Sequence, residues 1–319
     1  MKAIFYEEYG SPDVLQLKEI QKPTPKENEV LIKVCAASLN ASDGEFLKGS
    51  PFYVRMWGLF KPKYKIPGSD VAGIVEAVGR KVKEFKVGDA VFGDIMYRWG
   101  SFAEYVCASG NELLIKPSEI TFEEAATLPQ AALVALQGLR DKIDIIPGQK
   151  VLINGAGGGS GTFAIQIAKL FGANVTGVDN TSKLELMRSI GADQVIDFTK
   201  EDFTKNGKHY DLILDFVASH SIFNYKIVLS TKGTYLMVGG SMSSIFQTLF
   251  FGGIISLLSP KNMSILGAVK NKDLDYLTEL VKSRKVVPII DQRFPLSQVP
   301  DAFRYLEKGN INGKIVITM

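Results

Sequence analysis

The sequence predicts an α/β protein of two domains, a small antiparallel barrel and a doubly wound parallel sheet. Three observations carry this. Short β-branched runs punctuated by glycine and proline fill the first third. Strands alternate with helical periods from residue 150 onward. A glycine-rich string, VLINGAGGGSG at 151–161, stands at the first strand-to-helix junction of that alternation. At about 100–200 residues per domain, a chain of 319 residues also suggests two.

Residues 30–36 form an apolar run with one lysine, and 71–78 a β-branched run bounded by glycines; 90–93 and 102–107 are further short strands. The character changes near Phe122. Between 123 and 141, Ala125, Leu128, Ala132, Leu136 and Leu139 recur at helical spacing. Pro129 interrupts them, which predicts two helices or one kinked helix. Strands at 150–154, 174–178, 194–197, 211–216, 233–238 and 263–269 follow, with helices at 162–171 and 183–190. Such alternation implies a parallel sheet covered on both faces. Residues 273–284 and 299–308 have amphipathic helical spacing, and 313–318 is a strand able to pair back into the barrel.

The composition excludes several function classes. With 46% hydrophobic and 22% charged residues the chain is ordinary for a globular protein. Thirty-seven basic against 34 acidic residues leave a net charge of +3, too weak and too evenly spread for nucleic-acid binding. Cys35 and Cys107 cannot build a disulfide framework or a four-thiolate zinc site, and are expected as small core residues; His209 and His220 cannot supply a three-histidine zinc site. Met1 leads into Ala3, Ile4, Phe5 and Tyr6 with no basic region and long apolar run, so no targeting segment is expected and the default compartment is the cytoplasm. The most apolar stretch, 245–258, spans 14 residues, fewer than the roughly 20 that cross a bilayer. It is expected to be buried, as core or as the wall of a substrate pocket and subunit contact; the other reading is contact with a membrane surface.

Within the glycine-rich string, Gly155, Gly158, Gly159 and Gly161 lie between a buried strand and a helix. A pyrophosphate needs unblocked backbone N–H groups at such a helix start. Asp179 follows 24 residues after Gly155, just past the second strand, at a distance suited to a ribose. Together these features predict a dinucleotide site. Asp179 on the ribose favours NADH, whereas Lys183 and Lys200 are cations that can meet the 2′-phosphate of NADPH. Asp179 also reads as an N-cap of the helix beginning near Ser182, so the cofactor stays NADPH or NADH.

Several stretches in order along essentially the whole chain resemble the medium-chain dehydrogenase/reductase superfamily. They are VCAASLNASDGEFLKG (34–49), PGSDVAGIVEAVG (67–79), GSFAEYV (100–106), the string at 151–161, SIGADQVIDFTKEDF (189–203) and NGKIVITM (312–319). Within that superfamily they are similar to the zinc-independent quinone oxidoreductase branch, including the plastid-envelope quinone oxidoreductase homologues. The resemblance implies a GroES-like β-barrel catalytic domain over 1–125, completed by 268–319, a Rossmann-type dinucleotide-binding domain over 126–267, and an active site in the cleft between them. Zinc alcohol dehydrogenases on this scaffold carry a catalytic cysteine where this chain has Asn40, histidine and glutamate where it has Ser69 and Asp70, and a third ligand near Gln130. These positions cannot supply a tetrahedral zinc site, so no metal is expected.

Without a Lewis acid, acceptors that delocalise the incoming charge are favoured. The expected activity is therefore NAD(P)H-dependent hydride transfer to quinones or α,β-unsaturated carbonyls. Reduction of simple ketones or aldehydes is the alternative, and a non-catalytic NAD(P)H-binding protein, associated with a membrane or a partner, is the rival from another class. The resemblance implies that Asn40 lies beside the nicotinamide and the substrate, where its amide can hydrogen-bond an acceptor oxygen. A plain turn asparagine in LNASD is the competing reading. It further implies that Asp43 orients this loop and that Gly159, Ser160 and Gly161 present pyrophosphate-binding amides. Val217 and Ala218 would flank the adenine or ribose side, and Val238-Gly239-Gly240 and Leu266-Gly267-Ala268 would line the nicotinamide ribose and carboxamide. Lys314 either reaches the cofactor or is a surface lysine. Segment 50–66, with Phe52, Tyr53, Arg55, Trp57, Phe60 and Tyr64, reads as a substrate flap or as a surface loop packed on the barrel; Tyr53 and solvent are the candidate proton donors. The edge strand at 263–269 suits homodimer pairing, and membrane contact is expected to be peripheral at most.

Overall fold

The computed structural model describes residues 1–141 and 145–319. Contacts divide the chain into two compact units, residues 1–133 with 270–284 and 290–319, and residues 134–269 with 285–289.

In the first unit, β1 (Lys2–Phe5) pairs antiparallel with β2 (Gln16–Glu19). The unit is organised around β3 (Glu29–Leu39), an eleven-residue strand that α1 (Ala41–Lys48) follows. Strands β4 (Asp70–Val78), β5 (Ala90–Asp94), β6 (Tyr105–Ser109) and β7 (Leu114–Ile115) build the sheet outward, β3 pairing antiparallel with both β4 and β6. Val30, Ile32, Val34, Val71, Val75, Val91 and Ile95 fill its interior, β-branched residues suited to a pleated surface. Helix α2 (Phe122–Thr127) comes next, then a wide π-type turn over Leu128–Ala132 that contains Pro129, then α3 (Leu133–Arg140). This is the predicted interruption, since proline lacks the N–H that an α-helix needs there.

The expected core role of the two cysteines is not what the strands give them. Cys35 and Cys107 are half-buried. On β3 and β6 it is their neighbours Val34, Ala36, Val106 and Ala108 that are buried, and the period of two turns each cysteine to the other face.

The second unit runs β8 (Lys150–Asn154), α4 (Gly159–Leu170), β9 (Asn174–Asp179), α5 (Leu184–Ser189), β10 (Gln194–Asp197), β11 (Tyr210–Asp215), α6 (Ile222–Val228), β12 (Leu229–Met237), α7 (Met242–Gln247), α8 (Gly253–Leu258) and β13 (Asn262–Ile265). All six strands are parallel, in the order β10-β9-β8-β11-β12-β13. This is the doubly wound order whose direction reverses beside β8, where dinucleotides bind. Leu152, Val178, Ile213, Tyr235 and Met263 form its core. The chain then returns to the first unit through α9 (Leu274–Lys282), β14 (Ile290–Pro295), α10 (Val299–Glu307) and β15 (Lys314–Thr318). As predicted, that strand pairs with β3, Ile315 lying opposite Leu39.

Three expectations need correction. The predicted boundary at 125 lies instead after Leu133, because α2 and the turn after it stay with the barrel: Arg293 meets Glu123, Arg284 meets Glu124, and Ser42 Oγ donates to Gln130 Oε1 at 2.7 Å. The boundary at 268 is interrupted, since residues 285–289 belong to the second unit, where Val287 exchanges two hydrogen bonds with the Gln166 amide. Stretch 245–258 is not core. It forms α7, a turn and α8, which anchor through Ile245 and Ile255 while Phe246, Leu249, Phe250, Leu257 and Leu258 are 62–84% exposed. Helices this short bury one face and leave the other uncovered. Among the described residues no helix is long and apolar enough to cross a membrane.

Candidate active site

The glycine-rich turn is shaped by backbone that admits no side chain. Gly155 has φ +83°, and a Cβ there would lie 2.9 Å from Val217; at Gly161 it would lie 2.2 Å from the Gly155 carbonyl oxygen. At Gly158 the same atom meets only that oxygen, at an ordinary 3.4 Å, so the protein itself leaves room for a side chain there. Gly158 is the N-cap of α4 and offers no side-chain oxygen, which leaves the first-turn amides of Gly159, Ser160 and Gly161 without a capping side chain. This cradle fits a pyrophosphate.

Asp179 ends β9 and points back at the turn, its Oδ2 accepting from the Gly157 amide at 2.9 Å. Its other oxygen accepts from Asn180 N at 2.9 Å and faces Lys183 Nζ at 3.2 Å, with both side chains buried. The helix-cap reading of Asp179 is therefore wrong, because the side chain of Asn180, one residue on, accepts from Ser182 N. The stem of Lys183 lies over Gly157, where a Cβ would come within 2.7 Å of it. Lys200, the other candidate cation, is exposed and paired with Asp197.

At the end of β11, the fully buried Asp215 accepts from Asn154 Nδ2, Val217 N, Ala218 N and Tyr235 OH at 2.8–3.1 Å. It thereby fixes the loop in which Ala218 takes φ +51° and Val217 stays half-exposed. Val238, Gly239 and Gly240 follow β12, where a Cβ on Gly240 would strike Met237 and Ala218; Leu266 and the open Gly267 follow β13. All the residues predicted for the dinucleotide except Lys314 thus gather at the carboxyl ends of one parallel sheet, the edge at which such sheets bind ligands. Gly157, Asn154 and Asp215 were missed by sequence reasoning; Gly157 stood in the string as its second glycine, and no local signal marked the other two.

The remaining candidates lie in the first unit, where β3 ends. Asn40 Nδ2 donates to Asp70 Oδ2 at 2.9 Å, and Lys314 Nζ donates to Asn40 Oδ1 at 2.5 Å and to Leu39 O at 3.2 Å. Ser38 Oγ donates to the same Asp70 oxygen. Asp43 Oδ2 accepts from Asn40 N at 2.6 Å, across the first turn of α1. Lys314 is 2% exposed and so is no surface lysine. Burial raises the Asp70 carboxyl and lowers the Lys314 ammonium, and their mutual attraction opposes both shifts. Burial pushes Asp43 up to about 8, and burial together with Asp70 pushes Asp94 up to about 7. Among the described residues, Asp43 Oδ1, Ser69 Oγ and Ser101 Oγ are buried without a hydrogen-bond partner.

Tyr53 stands apart from this cluster, its hydroxyl donating to Glu45 Oε2 at 3.1 Å. Burial and the Glu45 carboxylate push its pKa up to about 12, which makes it a weaker acid. Segment 50–66 packs on the first unit as the surface-loop reading has it: Val54 is buried and Trp57 packs on Phe46, while Phe52, Met56 and Phe60 are exposed. The positions corresponding to zinc ligands hold the Asn40 amide, whose oxygen faces an ammonium, the Ser69 hydroxyl, the Asp70 carboxylate and, for the third ligand, the Gln130 amide, whose oxygen accepts from Ser42. That donor set does not fit zinc, which takes thiolate or imidazole with carboxylate.

Comparison with known proteins agrees with this fold. The sequence profile of the alcohol dehydrogenase GroES-like domain matches residues 26–118, and that of the zinc-binding dehydrogenases matches 190–317. The 2-methylene-furan-3-one reductase of Solanum lycopersicum is 37% identical over 99% of this chain and 79% of its own. An NADPH-dependent alkenal/one oxidoreductase of Arabidopsis thaliana, chloroplastic, is 35% identical with the same coverage. The quinone oxidoreductase structure from Coxiella burnetii superposes with a TM-score of 0.90 at 30% identity, over 100% of this chain and 99% of that one. The barrel, the parallel sheet and these relatives together make the chain an oxidoreductase of the medium-chain dehydrogenase/reductase superfamily, in its quinone oxidoreductase branch.

Proposed function

We propose that this protein reduces α,β-unsaturated carbonyls or quinones with NADPH and without zinc. One observation carries the reading: at the position corresponding to a metal ligand in the zinc enzymes, a neutral amide, Asn40, is held between an ammonium and a carboxylate. An amide N–H stabilises a delocalised enolate or phenolate better matched to its strength than the full alkoxide of a simple ketone, which calls for a Lewis acid. The relatives named as a furanone reductase and an alkenal/one oxidoreductase support the same substrate class.

NADPH held by its pyrophosphate on the glycine-rich turn would supply the hydride. The chain does the rest. The Gly159, Ser160 and Gly161 amides would hold the pyrophosphate, and Lys183 neutralises Asp179 so that a 2′-phosphate would meet no net negative charge. Asn40 holds the acceptor oxygen as negative charge gathers on it, and a solvent proton completes the saturated ketone or hydroquinone. Coenzyme oxidation followed by absorbance tests this. A short alkenone should be reduced at least tenfold faster with NADPH than its saturated ketone, and NADH should serve less well. Equal rates on alkenone and saturated ketone would overturn the substrate class.

We further infer that a second copy of this chain covers the exposed face of α7 and α8. That face adjoins β13, the outermost strand of the sheet, whose free edge can pair with another strand.

A further inference from the structure

We propose that Lys314 and Asp70 are positioning residues that lock and polarise the Asn40 amide, presenting its second N–H to the oxygen of the acceptor. This rests on the reductase reading given above and assigns Lys314 a role other than cofactor contact.

Chemistry alone settles the orientation of the amide. A lysine ammonium only donates, so the Asn40 atom 2.5 Å from Lys314 Nζ is the oxygen. Nδ2 then faces Asp70 Oδ2 at 2.9 Å. Among the described residues Nδ2 makes this one hydrogen bond, which leaves its second hydrogen for a ligand. The ammonium draws electrons toward the oxygen, and the carboxylate pulls on the N–H. The ammonium makes the remaining N–H more positive than that of an ordinary asparagine, and the carboxylate, by engaging the other hydrogen, fixes which N–H is left and where it lies. Such a donor, fixed before the reaction begins, is what a developing oxyanion requires.

The sheet imposes this arrangement. β3 lies between β4 and β15; Ser38 is opposite Asp70 on one side, and Leu39 is opposite Ile315 on the other. Register therefore brings a carboxylate and an ammonium to the two flanks of the strand end from which Asn40 projects. Their further bonds, Ser38 Oγ to Asp70 and Lys314 Nζ to Leu39 O, tie both to the same three residues. Lys314 makes these contacts within the first unit while almost fully buried. Opposite charges buried on either side of one amide hold their places firmly, since removing one strands the other.

The test compares Lys314→Met, Asn40→Ala and the double variant, reading kcat and KM for an alkenone and NADPH binding by fluorescence titration. Lys314→Met should lower kcat by about 10–100-fold, with NADPH affinity and alkenone KM within twofold of wild type. The double variant should be no slower than Asn40→Ala alone, because the lysine acts through the amide. Weakened NADPH binding with unchanged kcat would overturn the proposal in favour of cofactor contact, and so would losses that multiply in the double variant. Should Lys314→Met fail to fold, Asp70→Asn decides. It keeps an acceptor for Asn40 and removes the charge, so kcat should fall while NADPH still binds; wild-type kcat would overturn the proposal. A wild-type enzyme inert to alkenones and quinones would instead sink the reductase reading itself.

Discussion

Asp43 shows how much of a residue's role lies outside the sequence. LNASD announces a turn followed by a helix, and Asp43 sits there as expected, accepting from Asn40 N. Nothing in that string says that the carboxyl is wholly buried with one oxygen unpaired. Burial raises it to about 8, so near neutrality the folded protein holds a proton that the unfolded chain, with an ordinary carboxyl near 4, has released. Stability from this group is thus fully present below about pH 4 and is lost as pH rises toward about 8. Asp43→Asn keeps the acceptor and removes the proton exchange. Its melting temperature should fall less between pH 5.5 and pH 8.5 than that of the wild type; parallel slopes would show that Asp43 is ionised in the fold. Asp70 was legible only as the absence of a metal ligand. Its partners come from β3 and, through Asn40, from a lysine 244 positions further on, a relation that no local pattern encodes.

Among elements, those of the second unit were the most legible. A buried parallel strand is a short apolar run and its helix has a 3.6-residue period, so β8 through β13 fall close to where the sequence placed them. The strand expected at 102–107 appears three residues later as β6, because alternation in short antiparallel strands tolerates such a shift. Stretch 245–258 was misjudged for a physical reason: apolar content says that a surface seeks cover, not whether the same chain provides it. The glycine-rich turn offers a prediction at this scale. Gly161→Ala drives a Cβ into backbone at 2.2 Å, and should lower both the melting temperature and NADPH affinity. Gly158→Ala meets ordinary contact at 3.4 Å, and should leave the melting temperature within about 2 °C while weakening NADPH at least fivefold. Calorimetry beside a fluorescence titration separates the two; equal affinity in Gly158→Ala and wild type would remove that glycine from the cofactor site.

At the scale of the whole molecule, two domains were evident from composition and order, whereas their limits were not. The sequence cannot show that α2 is tied to the barrel by Arg284 and Arg293, or that Val287 is claimed by Gln166. Nor does it show the exposed α7 and α8, from which the oligomeric prediction follows. Light scattering should give twice the chain mass for the wild type and a single mass for Phe250→Asp or Leu257→Asp, both at exposed positions. A monomeric wild type that sediments with phospholipid vesicles, and loses that property in the same variants, would assign the face to a bilayer instead.

The division of the chain has a consequence for heredity. The dinucleotide unit is almost one uninterrupted stretch, 134–269, whereas the barrel is assembled from stretches on either side of it. Asn40 and the lysine that grips it are separated by 274 positions, with that stretch between them. A crossover that exchanges the nucleotide-binding stretch as a cassette leaves both in one recipient gene, and the amide keeps its grip. A single crossover within that stretch, by contrast, takes Asn40 and Asp70 from one parent and Lys314 from the other. The nucleotide-binding stretch can therefore be traded between lineages without parting the residues around Asn40, which must be inherited as a set.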